Sequence, residues 1–391
     1  MKICIWTTSL QADTLAMAIA LDREPEVELL VVAASLAAYQ HEPIARFCPL
    51  TCQLLDRSRD DHEKTVRAFD ADVFFADNHI PKYLVGRKMV YFWHGLPLKI
   101  RPPRDIRSFR RLSTRLVGNI SQPNPRFLAQ CYNQMDLDYR IRRLKIAEQN
   151  CRIWGSPYSD LLLNPPYRRA DLEGYYQLDL QGRKNILLSL TWNFGSKPFG
   201  VLGDDDAIFA GLLKTAAEYD ANIIFSLHDK FRYQPELIEK IEYYASRYPR
   251  SFIKYKNEHA DNLADLVVSD VMICNFSSFI VFHYFMGKPS IHIKPVDTKK
   301  WFVGLPTMRK DSVQSVLRRN NEKLWLYPFE DNGGCLPRNK DELIADLSRS
   351  LEDSSYCVDR AQRFIGDKIY QPDGQTCQRI ITDVKEWACD Q

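Results

Sequence analysis

Short apolar runs rich in β-branched and aromatic residues alternate with helical segments along this chain, and the alternation happens twice. Lys2–Thr7 reads as a strand, Thr14–Leu21 as a helix and Val27–Ala34 as a strand; His62–Phe69, Asp72–Ala76 and Lys88–Trp93 continue the series. Such a βαβ rhythm predicts a parallel sheet with right-handed crossovers. The polar, proline-bearing stretch Asn164-Pro165-Pro166-Tyr167-Arg168-Arg169 then interrupts it. The rhythm restarts with strands at Asn185–Leu190, Asn222–Leu227, Ser251–Tyr255, Val271–Cys274 and Ser290–Ile293, separated by helices at Asp206–Glu218, Pro235–Arg247 and Phe279–Met286. At 391 residues the chain exceeds one typical core. Two α/β domains facing across a cleft are expected, residues 1–165 and 166–391, with the last helix packing back on the first domain.

Composition narrows the function classes. A hydrophobic content of 45% with 12% aromatics fits packed structure rather than disorder. A formal net charge of +3 does not describe a nucleic-acid polycation. No run reaches the roughly 18–20 apolar residues of a membrane span, and Met1–Trp6 leads into a strand without a signal-peptide pattern, so a cytoplasmic protein is expected. The ten cysteines include no C-x-x-C pair, which reads as free thiols and no zinc site. Trp6-Thr7-Thr8-Ser9 occupies the first turn, where a dinucleotide-binding chain carries glycines. No cofactor or metal is expected.

In open α/β sheets, ligands collect at the carboxyl ends of strands. Trp93-His94-Gly95 follows one apolar strand, and Gly95 allows close approach of a substrate. His228 repeats the arrangement after Asn222–Leu227, and Asn275-Phe276-Ser277-Ser278 links a strand to a helix. A histidine at a strand end can serve an ordinary loop contact, and two serines can be an ordinary helix cap. Two such histidines, one in each half, favour a phosphate-handling site. His79 reads as structural, and His283 and His292 as core residues. Asp204-Asp205-Asp206 precedes a helix and reads as a cap rather than a metal site. Lys99, Arg101, Arg104, Arg107, Arg110, Arg111 and Arg115 form a basic run, and Arg140, Arg142, Arg143 and Lys145 a second. A solvated face is the default for such runs. An anionic membrane surface bound through Lys99–Arg115, with Phe109 and Leu112 as an apolar foothold, is the functional alternative.

With these residues located, the chain resembles the CDP-glycerol:poly(glycerophosphate) glycerophosphotransferase family, the teichoic-acid polymerases and primases. Trp93-His94-Gly95-Leu96-Pro97-Leu98-Lys99 is similar to the family's Trp-His-Gly-Thr-Pro-Leu-Lys. Gly155-Ser156-Pro157-Tyr158-Ser159-Asp160 is similar to Gly-x-Pro-Arg-x-Asp, Leu190-Thr191-Trp192 to the Pro-Thr-Trp-Arg strand end, and Leu227-His228 to the second histidine motif. Ser269-Asp270 through Ser277-Ser278, and Asp373-Gly374, complete the series in the family's order.

The resemblance implies a GT-B-like fold of two Rossmann-like α/β domains, an N-terminal acceptor side and a C-terminal nucleotide-donor side. It implies transfer of a polyol phosphate from a CDP-activated donor to a hydroxyl of a glycan or lipid-linked polymer, releasing CMP without a metal, on the inner face of the cell membrane. His94 is then the general base and His228 a pyrophosphate contact; Gly95, Thr191, Trp192, Asn193, Lys230, Asn275, Ser277 and Ser278 line the donor phosphate and nucleotide site. The sequence departs from the pattern where Asn193 and Tyr158 replace arginines and Asn275 replaces aspartate, leaving Lys197, Lys230 or Arg232 to supply charge. The donor is therefore open, with capsule or O-antigen synthesis beside teichoic acid. Two rivals are a GT-B sugar-nucleotide glycosyltransferase and a non-catalytic binder of anionic glycan.

Overall fold

The computed structural model describes residues 1–34, 36–93, 95–96, 103–191, 197–275, 277–294 and 329–389. His94, Trp192, Asn193, Lys99 and Arg101 lie outside them. The chain divides into two units, one built from Met1–Leu96, Pro103–Pro166 and Gly366–Gln391, the other around Tyr167–Ile365.

Seven strands form the sheet of the first unit: β1 (Lys2–Thr7), β2 (Glu28–Ala33), β3 (Gln53–Asp56), β4 (Ala71–Ala76), β5 (Gly86–Tyr91), β6 (Phe127–Cys131) and β7 (Cys151–Ile153). All pair in parallel, in the order β3-β2-β1-β4-β5-β6-β7. The sheet of the second unit holds β8 (Asn185–Ser189), β9 (Asn222–Leu227), β10 (Ser251–Tyr255), β11 (Val271–Asn275) and β12 (Ser290–Ile293). Its order is β10-β9-β8-β11-β12, again all parallel. Each sheet thus starts in its interior, winds outward to one edge and then reverses. The doubly wound pattern places a switch point between β1 and β4 in one unit and between β8 and β11 in the other.

Helices on both faces bury these strands, which is why they read as near-continuous apolar runs: Ile3, Cys4 and Ile5, or Val271, Met272 and Ile273, are all fully buried. Local chemistry sets the helix ends. The Asp204 carboxylate accepts the Ala207 N–H at 2.8 Å and starts the helix Asp205–Glu218, which is the expected capping role. Asp160 does the same across a long sequence separation, accepting the N–H groups of Thr376 and Cys377 at 3.1 and 2.7 Å at the start of the helix Thr376–Cys389.

Three strands were not expected from sequence. β3 spans four residues and β7 three, too few to show a pattern, and β6 carries the fully buried polar Gln130 within its apolar run. Arg140 corrects the second basic run. It is 0% exposed, pairs with Asp136 at 3.1 Å and lies over the rings of Tyr91 and Trp93. Only the charges flanking it on the chain belong to a solvated face.

His283 and His292 are core residues. His283 reaches the hydroxyls of Ser290 and Ser269 at 2.7 and 3.1 Å, and burial holds its pKa well below the ordinary histidine value. Burial pushes His292 down to about 3. Because the folded state resists protonation of both rings, the stability they confer is full above the ordinary histidine pKa and declines as pH falls below it. Each ring should remove about 1.4 kcal/mol per pH unit below roughly pH 6.5. Urea midpoints taken at pH 7, 6 and 5 test this, and a His292→Leu variant should show the shallower pH slope. An unaltered slope in that variant counts against the assignment.

Candidate functional site

The second unit gathers its candidate residues along one edge. β9, β8 and β11 are neighbours, and their carboxyl ends lead into His228, Thr191 and Ser277-Ser278 respectively. Asn275, the last residue of β11, joins two of these ends. Its Oδ1 accepts the Thr191 N–H at 2.7 Å, and its Nδ2 donates to the Pro198 carbonyl at 2.7 Å. The side chain is fully buried and ties Thr191 and Pro198 to the end of β11.

A second bridge comes from Tyr233, which sequence reading passed over because a lone tyrosine beside a 3-10 turn carries no pattern. Its hydroxyl donates to the Leu190 carbonyl at 2.6 Å and accepts the His228 N–H at 2.8 Å, tying the end of β8 to the end of β9. The His228 ring keeps about a third of its surface exposed (33%). Its Nδ1 is met by the Asp229 N–H at 2.7 Å and the Asp229 carboxylate at 3.0 Å. Burial lowers the His228 pKa, with Lys256 and Arg232 acting in the same sense, and outweighs the opposing pull of Asp229. The ring is therefore neutral at pH 7 and can hydrogen-bond an anion without carrying fixed charge. Burial disfavours the charged form of Asp229, but its contacts with His228 and Arg232 more than offset this and hold its carboxyl below the usual range.

Ser277 and Ser278 are both half-buried. The Ser277 hydroxyl accepts the Phe279 N–H at 3.2 Å, whereas Ser278 makes no side-chain cap to the helix Phe279–Phe285. Lys230 donates to Glu242 at 2.5 Å and Arg232 to Asp229 at 2.8 Å, so each charge is paired with a carboxylate. The Lys230 pair is exposed, and exposed pairs are weak enough to yield to a phosphate.

The motif Ser269-Asp270 lies at the opposite end of β11. Asp270 accepts Arg169 at 2.9 Å and the Asn185 N–H at 2.8 Å, which clamps the amino ends of β8 and β11. Tyr158 is buried.

In the first unit, Gly95 adopts φ +121°, a conformation open to glycine, and donates its N–H to the Tyr132 hydroxyl at 2.8 Å. Its switch point repeats the device seen in the second unit. Asp77 follows the end of β4 and accepts the Thr8 N–H at 3.1 Å, as Asn275 accepts Thr191. In the strand registers, Trp6 pairs with Ala76 and Ser189 with Cys274, so the two clamps occupy equivalent positions. Asp77 also accepts the Thr7 hydroxyl at 2.7 Å and the His79 N–H at 2.8 Å, so it faces donors only, which suits a carboxylate. Asn275 faces one donor and one acceptor, which suits an amide.

No protein-family model matches the sequence, and no curated protein matches it. Solved structures do. The wall teichoic acid polymerase TagF superposes with a TM-score of 0.67 at 14% identity, covering 98% of this chain and 89% of that one. UDP-GlcNAc 2-epimerase from Neisseria meningitidis gives 0.58 at 11% identity, covering 99% and 100%. A glycosyltransferase from Rickettsia africae gives 0.51 at 11%, covering 100% and 99%. The fold is GT-B-like. Two Rossmann-like α/β units of this GT-B-like kind are what the sequence rhythm and the family resemblance anticipated.

Among the described residues, no helix is long and apolar enough to cross a membrane. The helix Pro103–Val117 exposes Arg107, Arg111 and Arg115 at spacings of four, a single basic stripe. Phe109 corrects the expected apolar foothold. It is 4% exposed and packs its ring 4.4 Å from that of Tyr91, so it faces the protein interior.

Proposed function

We propose that the protein transfers a polyol phosphate, such as glycerol phosphate, from a CDP-activated donor to an acceptor hydroxyl of a cell-surface glycan or lipid-linked polymer. The observation that carries this reading is the convergence of Thr191, His228, Ser277 and Ser278 on the carboxyl edge of β9, β8 and β11, at a switch point held by Asn275. Those positions are the ones at which this sequence resembles the glycerophosphotransferases. The TagF polymerase that shares the fold was itself soaked with CDPG.

In this reading, His94 removes the proton of the acceptor hydroxyl. The oxygen attacks the donor phosphorus that bears the polyol, a phosphodiester forms, and the pyrophosphate bond breaks with departure of CMP. A neutral His228, the Ser277 and Ser278 hydroxyls and Lys230 bear on the phosphate oxygens, where fixed donors stabilise the transferring group. Gly95, Thr191, Trp192 and Asn193 complete the donor side of the proposal.

Purified protein supplied with acceptor and with CDP-glycerol, CDP-ribitol or sugar nucleotides separates the readings. CMP release supports polyol-phosphate transfer. UDP or GDP release identifies a glycosyltransferase of the same fold, and polymer binding without consumption of any donor identifies a glycan-binding protein.

Membrane association through Arg107, Arg111 and Arg115 is proposed as purely electrostatic, about 1 kcal/mol per residue. Co-sedimentation with vesicles rich in anionic lipid should be lost at high salt and in the triple alanine variant. Binding that ignores both changes rules the surface out.

A further inference from the structure

Behind Trp93 and Gly95, just after β5, lies a buried hydrogen-bond network that the proposed chemistry does not use. Its centre is Asp13, in the first turn of the helix Ala12–Asp22 and 1% exposed. One carboxylate oxygen accepts the Ser156 hydroxyl and the Tyr158 N–H, each at 3.0 Å. The other accepts the Tyr132 hydroxyl, and the Gln130 side chain also hydrogen-bonds the group. Even so, burial pushes the Asp13 pKa up to about 6. A carboxyl this deep is costly to keep, and packing alone would be served by an apolar side chain.

Two of its partners hold the backbone on either side of His94. Gln130 accepts the Trp93 N–H at 3.4 Å and donates to the Gly155 carbonyl at 2.7 Å. Tyr132 accepts the Gly95 N–H at 2.8 Å. Asp13 therefore orients both anchors of the segment that carries residue 94, and it does so from a helix that precedes them by more than a hundred residues in the chain.

We propose that Asp13 is a positioning residue of the transfer reaction: acting through Tyr132 and Gln130, it holds the backbone N–H groups of Trp93 and Gly95, the two chain neighbours of the proposed general base His94. This rests on the reading of His94 as general base. An ionised Asp13 only accepts, so Tyr132 must donate to it and keep a lone pair for Gly95. An amide at position 13 can accept only through its oxygen, while its NH2 donates, so it cannot accept from partners on both sides as the carboxylate does.

Asp13→Asn should lower kcat about 10–100-fold, the scale expected from a small misplacement of a reacting group, with a smaller change in the donor KM, since Gly95 is the donor-side residue that this network holds. Hydrogen exchange in the peptide containing Trp93–Leu96 should accelerate at least tenfold. Tyr132→Phe, which deletes one hydroxyl, should reproduce both effects and add nothing in the double variant; it also carries the test if Asp13→Asn does not fold. Normal kcat per folded molecule in both variants overturns the proposal, as does unchanged exchange in that peptide. Wild-type protein that releases no CMP from any donor overturns the transfer reaction instead, so the two failures are read apart.

Discussion

Replacement of His94 by alanine is expected to lower CMP release by about 10²–10⁴-fold, the usual contribution of a positioned general base. The donor KM should change less than the rate, because the groups proposed to hold the donor, Gly95 apart, lie in the second unit near the ends of β9, β8 and β11. Imidazole suits this role because it exchanges its proton near neutral pH, so wild-type kcat should fall on the acid side as the base is protonated. The alanine variant should lose that acid limb as well as the rate. His228→Ala should show the contrasting pattern, with a raised donor KM, since a neutral ring on a phosphate contributes binding in the ground state too. Single-turnover assays with saturating donor separate the two. Near-normal turnover by the His94 variant, with donor well bound, removes His94 from the mechanism.

Asn275→Ala is expected to cost about 2–6 kcal/mol of stability, because it leaves the Thr191 N–H and the Pro198 carbonyl without the partner that each has in the folded protein. Donor binding should fail with it, since the switch-point loop between Thr191 and Pro198 loses its tie to β11. The companion variant Asn275→Asp is more informative. A carboxylate still accepts the Thr191 N–H but faces the Pro198 carbonyl with a second acceptor, so it should destabilise the protein by about 1–3 kcal/mol and less so at low pH, where the carboxyl can donate. Denaturant midpoints for both variants, paired with donor binding, decide the matter. Full stability and full donor affinity in Asn275→Asp would mean that the amide is dispensable.

Much of the architecture was legible in the sequence. Parallel strands covered by helices on both faces are apolar on both sides, so runs such as Lys2–Thr7 and Asn222–Leu227 announce themselves, and their ends fall where turn residues begin. The strands that escaped, β3, β6 and β7, are short or interrupted by Gln130, and they become strands only because a neighbour offers its edge. The basic runs were legible as charge but not as surface. Arg140 sits under Tyr91 and Trp93 with Asp136 as counter-ion, and Phe109 packs inward, both decided by helix rotation against the sheet.

The short motifs divide in the same way. His228, Ser277 and Ser278 could be read as strand-end residues because strand-to-loop boundaries are local events, and a parallel sheet places every carboxyl end on one edge; Thr191 came from the resemblance alone. Sequence alone could not tell those motifs from Ser269-Asp270 and Gly155-Asp160, whose Asp270 and Asp160 spend their carboxylates on strand and helix ends. Nor could it find Asp13, Gln130, Tyr132 or Tyr233, whose partners lie on other strands or at the ends of other loops. What the sequence by itself determined was the order of elements, the fold class and the residue types at the strand ends, because these follow from local periodicity and turn chemistry. Which polar side chains hold the site and which merely hold the fold was decided by the tertiary structure, because a hydrogen bond depends on distance in space and the crossovers that set those distances leave no local mark.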